Sequence, residues 1–168
     1  MSYLGGEPTG ITPGFLNQSQ NFYNTTNTDL NNPIFRSPFS CPCYMTKKFG
    51  KYVNSVNSHL GEDYIPLIQS EDNWKLYSMS DGVVTDVGNQ LSNLGYFITI
   101  SSGIYSITYS HLKELPNLKV DDKITSGDLI GIVGNTGNSI RRHLHLEIKD
   151  NLGNYIIPSN LIDLRKFE

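Results

Sequence analysis

Cysteine, histidine, long apolar runs and basic charge are all scarce in this chain. It has two cysteines in 168 residues, Cys41 and Cys43, with only Pro42 between them. A bridge across so short a span would be strained. The pair is therefore expected to stay as two thiols, structural rather than metal-binding. No segment approaches the roughly 18 consecutive apolar residues of a membrane span. The 13 basic and 16 acidic residues leave a net charge of −3, which argues against a nucleic-acid partner. The small basic groups, Lys47-Lys48-Lys51, Arg141-Arg142 and Arg165-Lys166, read as solvated loops or faces. Met1 to Gln20 lacks both the basic start and the apolar core of a secretory signal. If the protein acts outside the cell that makes it, another route of delivery is expected. Helical periodicity is missing as well, and only Ser159 to Leu164 could cap and form a short helix.

Residues 1–44 differ from the rest. They are rich in Asn, Thr, Gly, Pro and Ser, and Glu7, Asp29 and Arg36 are their only charged side chains. Gly5-Gly6, Pro8, Pro13, Pro33 and Pro38 break any regular element. The aromatics Tyr3, Phe15, Phe22, Tyr23, Phe35 and Phe39 point to a segment that packs on some surface, because a free linker would be more polar. An extended, low-charge arm over 1–44 and a domain over 45–168 are expected.

Within that domain the signals are those of strands. Gly82 to Val87 follows a turn at Ser80-Asp81. Tyr96 to Ile100 and Ile104 to Tyr109 flank Ser101-Ser102-Gly103, a hairpin signal. Asp128 to Val133, Leu144 to Ile148 and Tyr155 to Ile157 complete a series of β-branched and aromatic runs between Gly and Asn turns. The fold class is therefore mainly β, with an antiparallel sheet and no internal repeat.

The four histidines are His59, His111, His143 and His145. Residues two apart on a strand share a face, so His143 and His145 project together with Glu147, while Leu144 and Leu146 face the core. His59-Leu60-Gly61-Glu62-Asp63 offers an imidazole and a carboxylate, with Gly61 allowing the backbone to bring both to one ion. Catalytic zinc usually takes three protein ligands and keeps a position open. His59, Asp63 and one of the His143/His145 pair make the best set. Two imidazoles then remain for proton transfer and oxyanion stabilisation.

Several runs resemble the lysostaphin-type zinc metallopeptidases. They are Ser126-Gly127-Asp128-Leu129-Ile130-Gly131, Gly134-Asn135-Thr136-Gly137-Asn138-Ser139 and His143-Leu144-His145-Leu146-Glu147-Ile148. Lys48-Phe49-Gly50-Lys51-Tyr52, Ser80-Asp81-Gly82-Val83-Val84 and Tyr109-Ser110-His111-Leu112 extend the match, which covers roughly residues 46–150. The resemblance implies a small antiparallel β-sheet platform with long groove-forming loops, the duplicated hybrid motif fold. It implies one zinc ion on His59, Asp63 and His145, with His111 and His143 as the catalytic pair. Tyr52 would lie near the scissile carbonyl. The family cuts peptide bonds in peptidoglycan stems or cross-bridges, often next to glycine or D-alanine.

Two stretches depart from the family pattern. Arg141-Arg142 stands where a small residue and a proline are common, which could alter the groove wall or attract a stem-peptide carboxylate. The loop Leu67 to Tyr77, with Glu71, Asp72 and Trp74, replaces a short glycine-containing turn, and Trp74 is expected in the core. Glu147 is expected to support the site rather than act in catalysis.

The implied activity is zinc-dependent hydrolysis of peptidoglycan peptides. The missing signal and the uncharged arm add the expectation of a phage tail enzyme. Such an enzyme would act in the virion or outside the cell at the wall, with residues 1–44 meeting other tail proteins or lying across the groove. The alternatives are a non-catalytic peptidoglycan-binding or activator module, or a virion structural component, on the same fold.

Overall fold

A computed structural model of the chain describes residues 34–51 and 57–167. Their regular structure is almost wholly strand. In chain order the strands are β1 (Phe35–Arg36), β2 (Cys43–Lys47), β3 (Gly50–Lys51), β4 (Ser58–His59), β5 (Glu62–Pro66), β6 (Lys75–Tyr77) and β7 (Gly82–Gln90). They continue as β8 (Gly95–Ser102), β9 (Tyr105–Leu112), β10 (Lys123–Ile124), β11 (Leu129–Ile132), β12 (Leu144–Lys149), β13 (Tyr155–Ile156) and β14 (Ile162–Asp163). Among the described residues there is no α-helix. The helix expected over Ser159 to Leu164 is replaced by one 3-10 turn, Pro158–Asn160, followed by β14. Ile162 and Asp163 instead pair in parallel with Phe35 and Arg36, and burying Ile162 against the core outweighs a helix of one or two turns.

The main sheet runs β10-β7-β8-β9-β12-β5-β2, with β13 also on β12, and its pairings are antiparallel. Alternation sorts its two faces. Val84, Ile98, Ile100, Ile107, Tyr109, Leu144, Leu146 and Ile148 are buried in one cluster with Trp74, Leu76, Met79 and Ile130. The expected hairpin forms, with Gly103 at φ +58° in the two-residue link between Ser102 and Tyr105. That is the position where a type II′ turn needs a positive φ.

Of the expected arm, Phe35 and Phe39 lie among the described residues, and both are buried in this cluster. Tyr3, Phe15, Phe22 and Tyr23 lie outside the described residues. Trp74 is buried, as expected. Cys41 and Cys43 are free thiols, and burial pushes Cys43 up to about 11.

One irregularity sets up the site. Between β8 and β9 the register slips, so that two residues of β8 span three of β9 (Tyr96 pairs Leu112, Ile98 pairs Tyr109). Strict alternation from Ile107 and Tyr109 would send the His111 side chain into the core. The extra residue, with His111 at φ +61°, puts Leu112 in the core instead and leaves His111 beside His145 of β12 and His143 just before that strand.

Candidate metal centre

Adjacent strands and one short hairpin bring the site together. Asp63 on β5 pairs directly across from His145 on β12. On that face Asp63 Oδ1 lies 2.8 Å from His145 Nδ1. His59 ends β4, which is held against β3 by the Gly50–His59 pairing. Its Nε2 lies 3.1 Å from both Asp63 Oδ1 and His145 Nδ1. Gly61 makes the approach possible, because a methyl group there would run into the Leu146 carbonyl oxygen and the His145 ring. The chain bends at Gly61, as expected from the sequence, and the lack of a side chain there is a second requirement.

The partners of the outer ring nitrogens define what faces inward. His59 Nδ1 is 2.8 Å from the Lys48 carbonyl oxygen, which can only accept, so Nδ1 carries the proton. His145 Nε2 is 3.1 Å from Glu147 Oε1 and donates to that carboxylate. If both rings are neutral, two imidazole lone pairs and a carboxylate oxygen then converge on one point. Three acceptors at this spacing are compatible with a shared cation, and an N,N,O donor set suits zinc. His59, Asp63 and His145 form the one group among the described residues able to hold a metal ion, with ligand atoms all within 4.8 Å of one another. The hydrogen bonds that the two rings donate to the Lys48 carbonyl and the Glu147 carboxylate are the outer supports that orient metal-binding histidines.

His111 and His143 stand beside this group. Their ring centroids are 4.8 Å apart, and His111 is 5.6 Å from His145. His111 Nδ1 donates to the Thr136 carbonyl at 2.7 Å. Thr136 is itself held by its hydroxyl, which donates to the Leu112 carbonyl and accepts from the Tyr96 amide. His143 Nδ1 lies 2.8 Å from the Arg141 carbonyl, and its Nε2 is 3.5 Å from Asp63 Oδ1. His143 thus turns Nε2 towards the group, and His111, with Nδ1 engaged by Thr136, has its Nε2 left for the site. Tyr52, the remaining residue assigned a catalytic role from the resemblance, lies outside the described residues.

The supports at Lys48 and Thr136 act through backbone carbonyls, which leave no residue-type signal in a sequence. Glu147 was detectable because it shares strand parity with His145. The site opens into a groove of about 1110 Å³, walled by residues that include Tyr44, Ile65, Leu94, Ile140 and Arg141.

Electrostatics follow from the geometry. Burial raises the Asp63 carboxyl, but hydrogen bonds from His145 and His59 outweigh it and hold it far below the usual carboxylate range. Burial and the neighbouring His143 and His145 push His111 down to about 4, so it stays neutral at pH 7. Burial would lower His145, but Asp63 and Glu147 raise it to about 9.

A pH dependence follows for the metal-free chain. His145 is raised above its ordinary 6.5, so its stabilisation is complete below about pH 6.5 and is lost as pH rises through about 9. The urea midpoint is expected to fall across that window. Zinc added at pH 7 has to displace this proton. Uptake in weak buffer with an indicator dye should then release about one proton per ion, and release should fade above about pH 9. Uptake with no proton release at pH 7 would contradict the assigned protonation.

Both the sequence and the fold are similar to those of known proteins. An uncharacterised metalloprotease of Buchnera aphidicola is 32% identical over 142 residues, covering 80% of this chain and 36% of the relative. The peptidoglycan DD-endopeptidase ShyA of Vibrio cholerae is 26% identical over 139 residues, covering 80% and 31%. This chain thus spans about a third of the length of each relative. Among solved structures, the catalytic domain of lysostaphin from Staphylococcus simulans superposes with a TM-score of 0.58 at 26% identity, covering 68% of this chain and 88% of that one. The family model for Peptidase family M23 matches residues 58–158, a span that contains all four histidines and Asp63. With more than half of its length in that match, the chain belongs to Peptidase family M23.

Proposed function

We propose that this chain is a zinc-dependent endopeptidase that hydrolyses peptide bonds in bacterial peptidoglycan stems or cross-bridges. The observation that carries the reading is the convergence of His59 Nε2, Asp63 Oδ1 and His145 Nδ1, with two further imidazoles turned towards the same point. A module that only bound the wall would need neither the convergent acceptors nor the extra pair. The named relative ShyA acts on peptidoglycan, which supports the substrate class.

His59, Asp63 and His145 would hold the ion. When bound there, zinc supplies Lewis acidity, polarising a carbonyl oxygen and letting water ionise near neutral pH. The chain's own residues do the rest. His111 is neutral and has its Nδ1–H fixed on Thr136, so it presents an Nε2 lone pair that can take a proton from the attacking water. His143, with Nδ1 fixed on the Arg141 carbonyl, presents Nε2 from the other side. A proton taken up there from solvent, with the one that His111 removes from water returned to solvent, would let it stabilise the developing oxyanion and protonate the leaving amine.

The finer reading places the enzyme in a phage tail, opening the wall from outside. It rests on the low charge and irregular composition of residues 1–44. The described part of that arm is committed to the core through Phe35 and Phe39, so contacts with tail proteins would fall to residues 1–33. Mass spectrometry of purified virions tests it.

The activity itself is tested by digesting peptidoglycans of defined chemistry and identifying the products by mass spectrometry, with and without a chelator. New amino and carboxyl termini that vanish on chelation and return with zinc are expected. Intact peptides under all conditions would overturn the assignment.

A further inference from the structure

The two stretches that depart from the family pattern meet in space. Arg142 lays its guanidinium over Trp74, 4.6 Å from the ring centroid. Its Nε donates to the Val133 carbonyl at 2.9 Å. Its two terminal nitrogens reach both oxygens of Glu71, at 2.7 and 3.3 Å. The loop carrying Glu71 and Trp74 and the loop carrying Arg142 thus form one clamp. Its floor is firm, since Trp74 is 3% exposed and its carbonyl accepts the Val133 amide at 2.9 Å.

An exposed ion pair alone contributes little. Arg142 combines a two-point carboxylate grip, a stacked face and a backbone bond, which together fix a planar fork in one orientation. What it fixes matters because of its neighbours. The preceding carbonyl, of Arg141, receives His143 Nδ1 at 2.8 Å and the Ser139 hydroxyl at 2.8 Å. The following residue is His143 itself. The segment before the clamp is irregular and exposed, with Ile140 91% exposed, and its own hold on that carbonyl is the Ser139 hydroxyl, which has one proton and also lies 2.6 Å from Asn135 Oδ1 and 3.3 Å from His143 Nδ1.

We propose that Arg142, gripped by Glu71 and Trp74, is a positioning residue for His143, setting the Arg141 carbonyl that orients the imidazole. The inference rests on the peptidase reading in so far as His143 acts in turnover.

The test uses the full zinc-loaded chain with soluble peptidoglycan fragments, and compares Arg142→Ala, Arg142→Lys, Glu71→Gln and His143→Ala. Arg142→Ala should lower kcat about tenfold or more through misplacement of the imidazole, with KM and zinc content unchanged. Arg142→Lys should recover only part of the loss, because an ammonium cannot grip two oxygens and stack at once. Glu71→Gln should show the smallest loss. Nitrogen NMR of labelled histidine gives a readout independent of turnover. The wild type should show His143 with Nδ1 protonated, and Arg142→Ala should show tautomer averaging at that ring alone.

Unchanged kcat and an unchanged His143 signal in Arg142→Ala would overturn the proposal. So would a rate loss explained wholly by lost zinc. If Arg142→Ala does not fold, Arg142→Lys and Glu71→Gln decide by the same two readouts. If the wild type is inactive the peptidase reading falls, if His143→Ala is as active as the wild type only the catalytic role of His143 falls, and in both cases the NMR comparison still decides the clamp.

Discussion

Asp63→Ala is expected to leave the chain with almost no bound zinc and no measurable peptidase activity. Asp63 supplies the only anionic donor of the group, and its Oδ1 lies 2.8 Å from His145 Nδ1 and 3.1 Å from His59 Nε2. Removing it takes away one of three ligands and the charge that offsets the cation. Loss of a mere outer support typically costs about 10- to 100-fold in metal affinity, and loss of a ligand should exceed that. His145→Ala should behave alike, since it removes both a ligand atom and the link to Glu147. Metal content after dialysis, with circular dichroism to confirm folding, checks both. Full occupancy in either folded variant would remove that residue from the ligand set.

His143→Ala should fail in a different way from His145→Ala, although the two side chains belong to one His-x-His. It should keep its zinc and lose roughly 10²- to 10⁴-fold in turnover, the usual worth of a positioned proton-transfer group. The geometry underlies the contrast. His143 Nε2 stands 3.5 Å from Asp63 Oδ1, outside the 2.8–3.1 Å cluster of the other three groups. His111→Ala should match His143→Ala in retaining metal, since its Nδ1 is spent on the Thr136 carbonyl and its ring sits beside His143. Near wild-type turnover in either variant would sink its catalytic role, and loss of zinc from His143→Ala would make it a ligand.

The strands could be read from the chain because alternation is a local property. Leu144, Leu146 and Ile148 announced a buried face, and the opposite parity of His145 and Glu147 announced a polar one. The hairpin at Gly103 was equally local. The short helix expected at Ser159 to Leu164 failed because a partner distant in sequence, Phe35-Arg36, claimed Ile162 and Asp163 for a strand. No window around residue 160 contains that information.

His111 shows the limit most sharply. By parity with Ile107 and Tyr109 it belongs in the core, and only the slipped register between β8 and β9 turns it to the site. Bulges depend on how two strands fit, so one strand's pattern does not declare them. Likewise Arg142, expected to alter the groove wall or attract a stem-peptide carboxylate, and Glu71, 71 positions away, were separate departures from the family pattern until the fold set them 2.7 Å apart.

By itself, then, the sequence determined the residue types of the chemistry, the strand class and the family, because these reside in composition, alternation and motif order. Tertiary structure decided which nitrogen of each histidine faces the site, why His111 reaches it, and what holds His143. Those outcomes turn on carbonyl acceptors and cross-loop partners that are brought within hydrogen-bond range only when distant segments pack.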